Sequence, residues 1–217
     1  MGMRFDPSML RSYFIAGTQD IKDDRTLEEV LKQALEAGIS AFQYREKGPT
    51  SLTGDAKLKL GRDLRALCTD YQVPFIVDDD VELALETNAD GIHVGQKDER
   101  VTKVIDQVGG RLFVGLSCDT AGQVQIANET AGISYIGSGP VFPTGSKADA
   151  DPVIGVDGLA KLVTVSKLPV VAIGGITEAN LKELPATGVA GTSVISMIAQ
   201  SDDIFRTVKA MNATFAK

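Results

Sequence analysis

The chain has 217 residues, 43% of them hydrophobic, and 29 acidic against 22 basic side chains give it a formal net charge of −7. This acidic balance argues against a nucleic-acid-binding protein, because such proteins present a basic face. No apolar run is long enough to span a membrane, and the amino-terminal stretch MGMRFDPSML lacks the apolar core of a signal peptide, so we expect a cytoplasmic protein with no membrane partner.

Apolar strand patterns alternate with amphipathic helix patterns along the chain. The first cycle has a strand at 13–16, then a capping-box pair, Thr26 and Glu29, at the start of a helix that Gly38 ends. Further strands are predicted, in chain order, at 39–44, 74–77, 91–94, 112–116, 135–137, 169–173 and 191–195. Further helices are predicted at 60–71, 81–86, 99–108, after residue 119 or 120, and at 156–165, 177–184 and 204–211.

Eight strands separated by helices are typical of a parallel sheet covered by helices. Eight such units in 217 residues predict a closed (β/α)8 TIM barrel that occupies residues 1–217 as a single domain. An open doubly wound sheet is the alternative. It is disfavoured because the first strand ends in AGTQD rather than in the glycine-rich dinucleotide fingerprint of that fold.

In such a barrel the active site lies where the strands end, so these positions carry the functional prediction. Cations follow the second and sixth strands at Arg45, Lys47 and Lys147, and such side chains bind phosphate oxygens. Carboxylates follow the third and fourth strands at Asp79 and Asp98. Because Mg²⁺ is typically held by one or two carboxylates together with substrate phosphates, a diphosphate with Mg²⁺ accounts for both signs of charge on one rim.

A second phosphate site is predicted on the same rim. Gly174 and Gly175 follow the seventh strand, and the residues from Ser193 to Ser196 end the eighth strand and open a short turn. In this fold such a turn presents backbone N–H groups and a short helix N-terminus to a phosphate. The sequence therefore predicts two small phosphorylated ligands.

Each of these segments also has a purely structural explanation. QYREK is compatible with a solvated loop, VDDDVE with a capped helix start, and AIGGI with a tight strand-to-helix turn. His93 is interpreted as a satisfied core or rim histidine rather than a catalytic base, and Cys68 and Cys118 as buried reduced thiols rather than a disulfide or metal site. Function is favoured because every segment falls at the same end of the predicted barrel.

The chain resembles thiamine-phosphate synthase, also called thiamine-phosphate pyrophosphorylase, in the segments FQYREK, PFIVDDDVELAL, ADGIHVGQKD, GLS, YIGSGPVFPTGSK, VVAIGGI and GTSVIS. The resemblance extends from Tyr13 to the final helix, in order and with the family's spacing. It implies a transferase of thiamine biosynthesis that condenses 4-amino-2-methyl-5-(diphosphooxymethyl)pyrimidine with thiazole phosphate. The implied products are thiamine monophosphate and diphosphate, and the implied chemistry is a Mg²⁺-assisted dissociative substitution.

The resemblance also assigns roles to particular residues of this sequence. The implied Mg²⁺ ligands are Asp79 and Asp98. The implied catalytic residues, which stabilise the departing diphosphate, are Arg45, Lys47, Ser117 and Lys147. The implied substrate-binding residues, which include those four, are Gln43, Tyr44, Arg45, Glu46, Lys47, Asp78, Ser117, Thr144, Gly145, Ser146, Lys147, Gly175, Ile195 and Ser196.

Asp78 departs from the family pattern, which commonly has Asn at this position. Two arrangements stay open. In the first, which we favour, Asp78 accepts a hydrogen bond from the exocyclic amine of the pyrimidine. In the second it lies near the diphosphate, where its charge is repulsive and Asn would be the better residue.

Two other functions stay open from the sequence. One is a thiazole tautomerase-like barrel, which is disfavoured because it has no use for a cluster of cations and carboxylates. The other is a non-catalytic sensor of a phosphorylated ligand. The 138–155 loop is a candidate lid that excludes water from the reaction, and a homo-oligomer is compatible with the sequence.

Overall fold

Eight parallel strands close into a barrel in chain order, and the last strand pairs with the first. The coordinates are a computed structural model that describes residues 3–22, 24–145 and 152–216. The predicted (β/α)8 barrel is confirmed. The alternative of an open doubly wound sheet is wrong, because the strands form a continuous ring.

The strands and helices lie close to their predicted positions. The strands are β1 Ser12–Ala16, β2 Ala41–Tyr44, β3 Phe75–Asp78, β4 Gly91–Val94, β5 Phe113–Ser117, β6 Ile133–Ser138, β7 Val170–Ile173 and β8 Gly191–Val194. The helices are α1 Leu27–Ala37, α2 Gly54–Asp70, α3 Val81–Glu86, α4 Val101–Val108, α5 Ala121–Glu129, α6 Gly155–Val165, α7 Ser196–Ala199 and α8 Ile204–Thr214.

The start and end signals of α1 act as predicted. The Thr26 hydroxyl accepts a hydrogen bond from the Glu29 N–H at 3.2 Å, and the Glu29 carboxylate accepts one from the Thr26 N–H at 2.8 Å. Gly38 ends the helix in the left-handed region, at φ 91°. The capping box and the glycine cap are therefore confirmed.

The helix predicted at 177–184 forms only in part, and not as an α-helix. The chain after β7 instead forms two short 3-10 helices, at Leu181–Glu183 and Pro185–Thr187. The Asn180 side chain accepts a hydrogen bond from the Thr177 N–H and donates one to the Gly175 carbonyl, and so competes with helical bonding. The proline at position 185 then has no N–H group to donate, so it cannot continue α-helical hydrogen bonding. Two further 3-10 helices, Pro7–Leu10 and Thr18–Asp20, were not predicted.

The barrel separates two apolar cores, one between the sheet and the helices and one inside the ring. The amino-terminal residues close the lower end of the ring. The ring of Phe5 stacks on that of Tyr135 with centroids 5.6 Å apart, and Leu10 is buried in the inner core. The carboxyl ends of the strands are left as the open end of the barrel. Within the described residues, every helix is too short or too polar to cross a lipid bilayer.

Candidate active site

A cleft of about 820 Å³ opens at the carboxyl ends of the strands, and every strand of the barrel contributes to its wall. This is the end at which the sequence predicts the site. The predicted site residues that line the cleft are Gln43, Arg45, Lys47, Asp78, Asp98, Ser117, Thr144, Gly145, Gly175, Ile195 and Ser196. Ser146 and Lys147 lie outside the described residues, as does part of the predicted 138–155 lid.

The predicted cations and carboxylates meet on one side of the cleft. The Nζ atom of Lys47 contacts a carboxylate oxygen of Asp79 and lies 3.5 Å from Oδ1 of Asp98 and 3.5 Å from Oδ2 of Asp78. The Nε atom of Arg45 lies 3.3 Å from the same Asp78 oxygen. One ammonium group therefore stands among three carboxylates that come from two strand ends.

Local backbone geometry directs the two predicted metal ligands. Asp79 follows β3 in the left-handed region, at φ 51°, a conformation that is uncommon outside glycine and often found at functional sites. Its N–H group donates to the His93 carbonyl at 2.8 Å, which ties this turn to β4. The Asp98 carboxylate accepts a hydrogen bond from the Gly95 N–H at 2.7 Å. Both carboxylates are thereby directed at the Lys47 ammonium.

The pKa values of these two carboxyls are shifted in opposite directions. Burial raises the pKa of Asp79 above its ordinary value, against the opposing effect of Lys47. Burial also acts to raise the pKa of Asp98, but the Gly95 N–H and the Lys47 ammonium outweigh it and lower that pKa. At neutral pH a cation between the two groups therefore stabilises them in their charged form.

The donor set fits Mg²⁺ that is shared with a ligand. Asp79 and Asp98 both contact Lys47, so their oxygens converge on a common cation. Within the described ranges, no group of three or more His, Cys, Asp or Glu side chains is placed to hold a metal ion. Two carboxylates are enough for Mg²⁺ when phosphate oxygens and water complete the coordination.

Asp78 contacts the two cations of the cluster. Its Oδ2 atom lies between Arg45 and Lys47, the side chains predicted to hold a diphosphate. The carboxylate is therefore placed to neutralise these cations in the free protein.

A chain of hydrogen bonds crosses the floor of the cleft. The Gln43 amide donates to the Tyr13 hydroxyl at 2.6 Å, and that hydroxyl lies 3.0 Å from the hydroxyl of Tyr135. The Tyr135 hydroxyl lies 3.1 Å from Nδ1 of His93, whose Nε2 atom lies 3.1 Å from the Ser117 hydroxyl. His93 is thus a rim histidine with both ring nitrogens bonded, as its sequence position indicated. Sequence reasoning missed Tyr13 and Tyr135, although a buried phenol usually has a hydrogen-bond partner.

Two residues of the QYREK segment do not face the cleft. Gln43 points into the barrel, so the strand alternation turns Tyr44 outward, where it is buried under the helices with its hydroxyl bonded to the Lys57 carbonyl. The Glu46 carboxylate is 8% exposed and accepts hydrogen bonds from the N–H groups of Thr18 and Leu52, at 2.7 and 2.8 Å. Both side chains are placed to support the rim rather than to contact a ligand.

Asp80 has the structural role that the helix-start interpretation of VDDDVE gave it. Its Oδ1 atom accepts a hydrogen bond from the Leu83 N–H at 3.0 Å and so caps α3. Its Oδ2 atom forms an ion pair with Lys57 at 2.8 Å. Of the three adjacent aspartates, only Asp78 and Asp79 therefore join the charged cluster.

The opposite side of the cleft is a glycine turn. Gly174 and Gly175 both have left-handed backbone, at φ 94° and 64°. A Cβ atom on Gly175 would stand 2.4 Å from the Pro143 carbonyl oxygen and 2.5 Å from that of Phe142. This turn therefore requires glycine, and it leaves the backbone open on the same wall as Ser196, at the start of α7.

Comparisons with known proteins identify the family to which the chain belongs. The family model described as thiamine monophosphate synthase matches residues 12–198. A thiamine-phosphate synthase of Lactiplantibacillus plantarum is 57% identical over 211 residues, 97% of each chain, and one of Levilactobacillus brevis is 56% identical over 100% of each chain. The solved thiamine phosphate pyrophosphorylase of Pyrococcus furiosus has a TM-score of 0.83 and 34% identity over 96% of each chain. The chain therefore belongs to the thiamine monophosphate synthase family.

Proposed function

We propose that this chain is a transferase that joins 4-amino-2-methyl-5-(diphosphooxymethyl)pyrimidine to thiazole phosphate, giving thiamine monophosphate and diphosphate. The observation that carries the proposal is a single cleft with a cation-and-carboxylate cluster on one side and a glycine turn on the other. One side suits a diphosphate with a metal ion, and the other suits a monophosphate. The family relationship supports the same reaction.

On the diphosphate side, Arg45 and Lys47 bind the phosphate oxygens. Arg45 is 8% exposed, and its guanidinium suits two oxygens of one phosphate. Lys47 is the more exposed of the two cations, with 38% of its side chain accessible. It can therefore turn from the carboxylates towards a bound anion. The Ser117 hydroxyl, which also lines the cleft, donates a hydrogen bond to the leaving group.

Asp79 and Asp98 would hold Mg²⁺ together with the diphosphate. When bound, Mg²⁺ supplies positive charge that stabilises the departing diphosphate. The two carboxylates are held ready for a cation, since each already contacts the Lys47 ammonium. The resemblance further assigns Lys147 to the leaving group.

The thiazole phosphate binds at the glycine turn. Gly175, Ile195 and Ser196 line this part of the cleft, and Thr144 and Gly145 approach it from the loop after β6. The Gly175 carbonyl is held by the Asn180 amide at 2.9 Å, which fixes the shape of the turn. The resemblance adds Ser146 to the loop that covers this substrate.

The chemistry requires leaving-group stabilisation more than a base. The C–O bond to the diphosphate breaks first, the aminopyrimidine stabilises the methylene cation, and the thiazole nitrogen then attacks that carbon. A strong general base is not needed, because the attacking nitrogen carries a lone pair. Preorganised donors and cations that are aimed at the developing negative charge are the main source of rate enhancement.

Turnover with both substrates tests the proposal. The purified chain is incubated with both compounds and Mg²⁺, and thiamine monophosphate and diphosphate are quantified, with each compound alone as a control. Equal amounts of both products are expected. Isomerisation of a thiazole without condensation would instead favour a tautomerase, and binding of both ligands without turnover would favour a sensor.

A matched pair of arginine variants tests the role of the cluster. Arg45→Ala is expected to lower kcat/KM by about 10²-fold or more, as for loss of a preorganised charge contact. Arg62→Ala, on the exposed face of α2, removes the same side chain away from the cleft and is expected to leave kcat/KM unchanged. Equal kinetics in the two variants would contradict the assignment of Arg45.

A further inference from the structure

Two buried phenols in the floor of the cleft link Gln43 on β2 to His93 on β4. Tyr13 and Tyr135 are 1% and 0% exposed, and their hydroxyl groups lie 3.0 Å apart inside the barrel. Burial raises the pKa of both phenols, so each keeps its hydrogen at neutral pH. Each hydroxyl group can therefore accept hydrogen bonds but has only one hydrogen to donate.

The chain of hydrogen bonds has a direction. The Gln43 amide donates to the Tyr13 oxygen, and among the described contacts the Tyr13 hydrogen has one acceptor, the Tyr135 oxygen. When the His93 ring is neutral, the Tyr135 hydrogen is left for its Nδ1 atom. A ring nitrogen that accepts a hydrogen bond carries no proton, so the proton of the neutral ring lies on Nε2.

The direction extends to the wall of the cleft. The Nε2–H group of His93 donates to the Ser117 oxygen at 3.1 Å. Because that oxygen already accepts the histidine hydrogen, the serine's own hydrogen is left to point elsewhere. Ser117 lines the cleft, so its hydrogen is available to an anionic oxygen bound there.

A glycine on β5 makes room for the central bond of this chain. A Cβ atom at Gly115 would stand 2.3 Å from Cζ of Tyr135 and 2.5 Å from Nδ1 of His93. Any other residue would therefore have to displace the Tyr135–His93 contact. Gly137 on β6 similarly leaves the other side of the ring open, since its Cβ would lie 3.3 Å from Cε1 of His93.

We propose that Tyr135 is a positioning residue. It holds His93 in the Nε2–H tautomer, and His93 in turn holds Ser117 as a hydrogen-bond donor to the departing diphosphate. The catalytic half of this inference rests on the proposed function, in which Ser117 contacts the leaving group. The part of the inference that concerns the His93 tautomer does not rest on the proposed function, and it can be tested without substrates.

The single histidine of the chain makes the tautomer directly measurable. The protein is labelled with ¹⁵N-histidine, and the couplings of its two ring nitrogens are recorded at neutral pH. The expected wild-type spectrum is that of the Nε2–H tautomer. An Nδ1–H tautomer would mean that the chain runs in the opposite direction and would overturn the proposal even if no variant folded.

Two matched Tyr→Phe variants then identify the residue that controls the tautomer. Tyr135→Phe removes the donor to Nδ1 and is expected to shift the ring towards the Nδ1–H form. Tyr44→Phe removes a phenolic hydroxyl that is bonded to the Lys57 carbonyl outside the ring, and it is expected to leave the histidine spectrum unchanged. An unchanged tautomer in Tyr135→Phe would overturn the positioning role.

A double-mutant cycle tests the catalytic half. Ser117→Ala is expected to lower kcat by about 10²-fold, as for loss of one preorganised donor to a developing anion. Tyr135→Phe is expected to lower kcat by about 10-fold, with little change in the two KM values. The double variant should be no slower than Ser117→Ala, because the tyrosine acts through the serine.

The results separate this inference from the proposed function. Multiplicative losses in the double variant would overturn the positioning role while the wild-type enzyme still turns over. Absence of wild-type turnover would instead reject the proposed function. The tautomer measurement would still show whether Tyr135 controls the tautomer of His93.

Discussion

The Nε atom of Arg45 lies 3.3 Å from Oδ2 of Asp78, and each of these side chains is 10% exposed. Removing one partner of a buried ion pair leaves the other charge uncompensated. Asp78→Asn is therefore expected to lower the free energy of unfolding by about 1–3 kcal/mol. The same change frees positive charge on Arg45 and Lys47, so it should tighten the binding of inorganic diphosphate, measured by calorimetry.

A surface ion pair is the control for this variant. Lys59 and Asp63 are paired on α2, with side chains 81% and 47% exposed, so Asp63→Asn should change the free energy of unfolding by less than about 0.5 kcal/mol. Weaker diphosphate binding in Asp78→Asn would contradict the placement of Asp78 at the diphosphate. It would favour the contact with the pyrimidine amine instead.

Asp98→Ala is expected to raise the Mg²⁺ concentration needed for half-maximal turnover and to weaken Mg²⁺ binding in the presence of diphosphate. The reason is that Asp98 is one of only two carboxylates assigned to the metal. Titrations of activity and calorimetry with Mg²⁺ measure both effects. An unchanged Mg²⁺ titration in Asp98→Ala would contradict the assignment of Asp98 as a Mg²⁺ ligand.

Asp80→Ala is the control for Asp98→Ala, because it removes another aspartate from the same rim. Asp80 caps α3 and pairs with Lys57, so its loss should cost about 1 kcal/mol of stability and leave the Mg²⁺ titration unchanged.

Glu46→Ala tests whether this buried glutamate is structural. The variant removes the acceptor of the Thr18 and Leu52 N–H groups, and each unsatisfied buried group costs about 1–3 kcal/mol. We expect denaturant unfolding to show a loss of about 2–4 kcal/mol. The exposed Glu36→Ala is the control, with a loss below about 0.5 kcal/mol. A raised KM at unchanged stability would instead make Glu46 a substrate contact.

Gly175→Ala should raise the KM for thiazole phosphate and leave the KM for the pyrimidine substrate nearly unchanged. The new Cβ would collide with two carbonyl oxygens and would require a left-handed alanine, so the turn must shift. Steady-state kinetics with each substrate varied in turn measure the effect.

Gly122→Ala is the matched control, because a Cβ there meets no atom within 4 Å and the residue lies in α5. Its kinetics should match the wild type, with stability raised by up to about 1 kcal/mol. A higher KM for the pyrimidine substrate alone in Gly175→Ala would place the thiazole phosphate elsewhere.

Periodicity was enough to predict the barrel, because each strand and nearly every helix has its own local pattern of apolar residues. Periodicity did not predict the segment after β7 correctly. There the Asn180 side chain bonds to nearby backbone groups, and the proline at 185 lacks the N–H group that an α-helix would need. The positions of Arg45 and Lys47 were predictable from the strand end alone. The sequence did not predict that the Glu46 side chain turns away from these two cations, because its partner Thr18 belongs to another loop.

The chain of buried hydroxyls was not predictable from spacing either. Tyr13 lies on β1 and Tyr135 on β6, and whether two such residues meet across the interior depends on the stagger of the whole ring. Local patterns identify which way a side chain points. They do not identify which side chain it meets on the far wall.

The pairing of β1 with β8 joins the first strand of the barrel to its last. Until β8 is synthesised, β1 and β7 both have unpaired edges, and such edges readily associate with other chains. The glycine turn and the cation cluster also stand on opposite parts of this unfinished ring. A growing chain can therefore neither complete the cleft nor protect its edges until β8 has been made, so a ligand bound in the cleft cannot assist the early steps of folding.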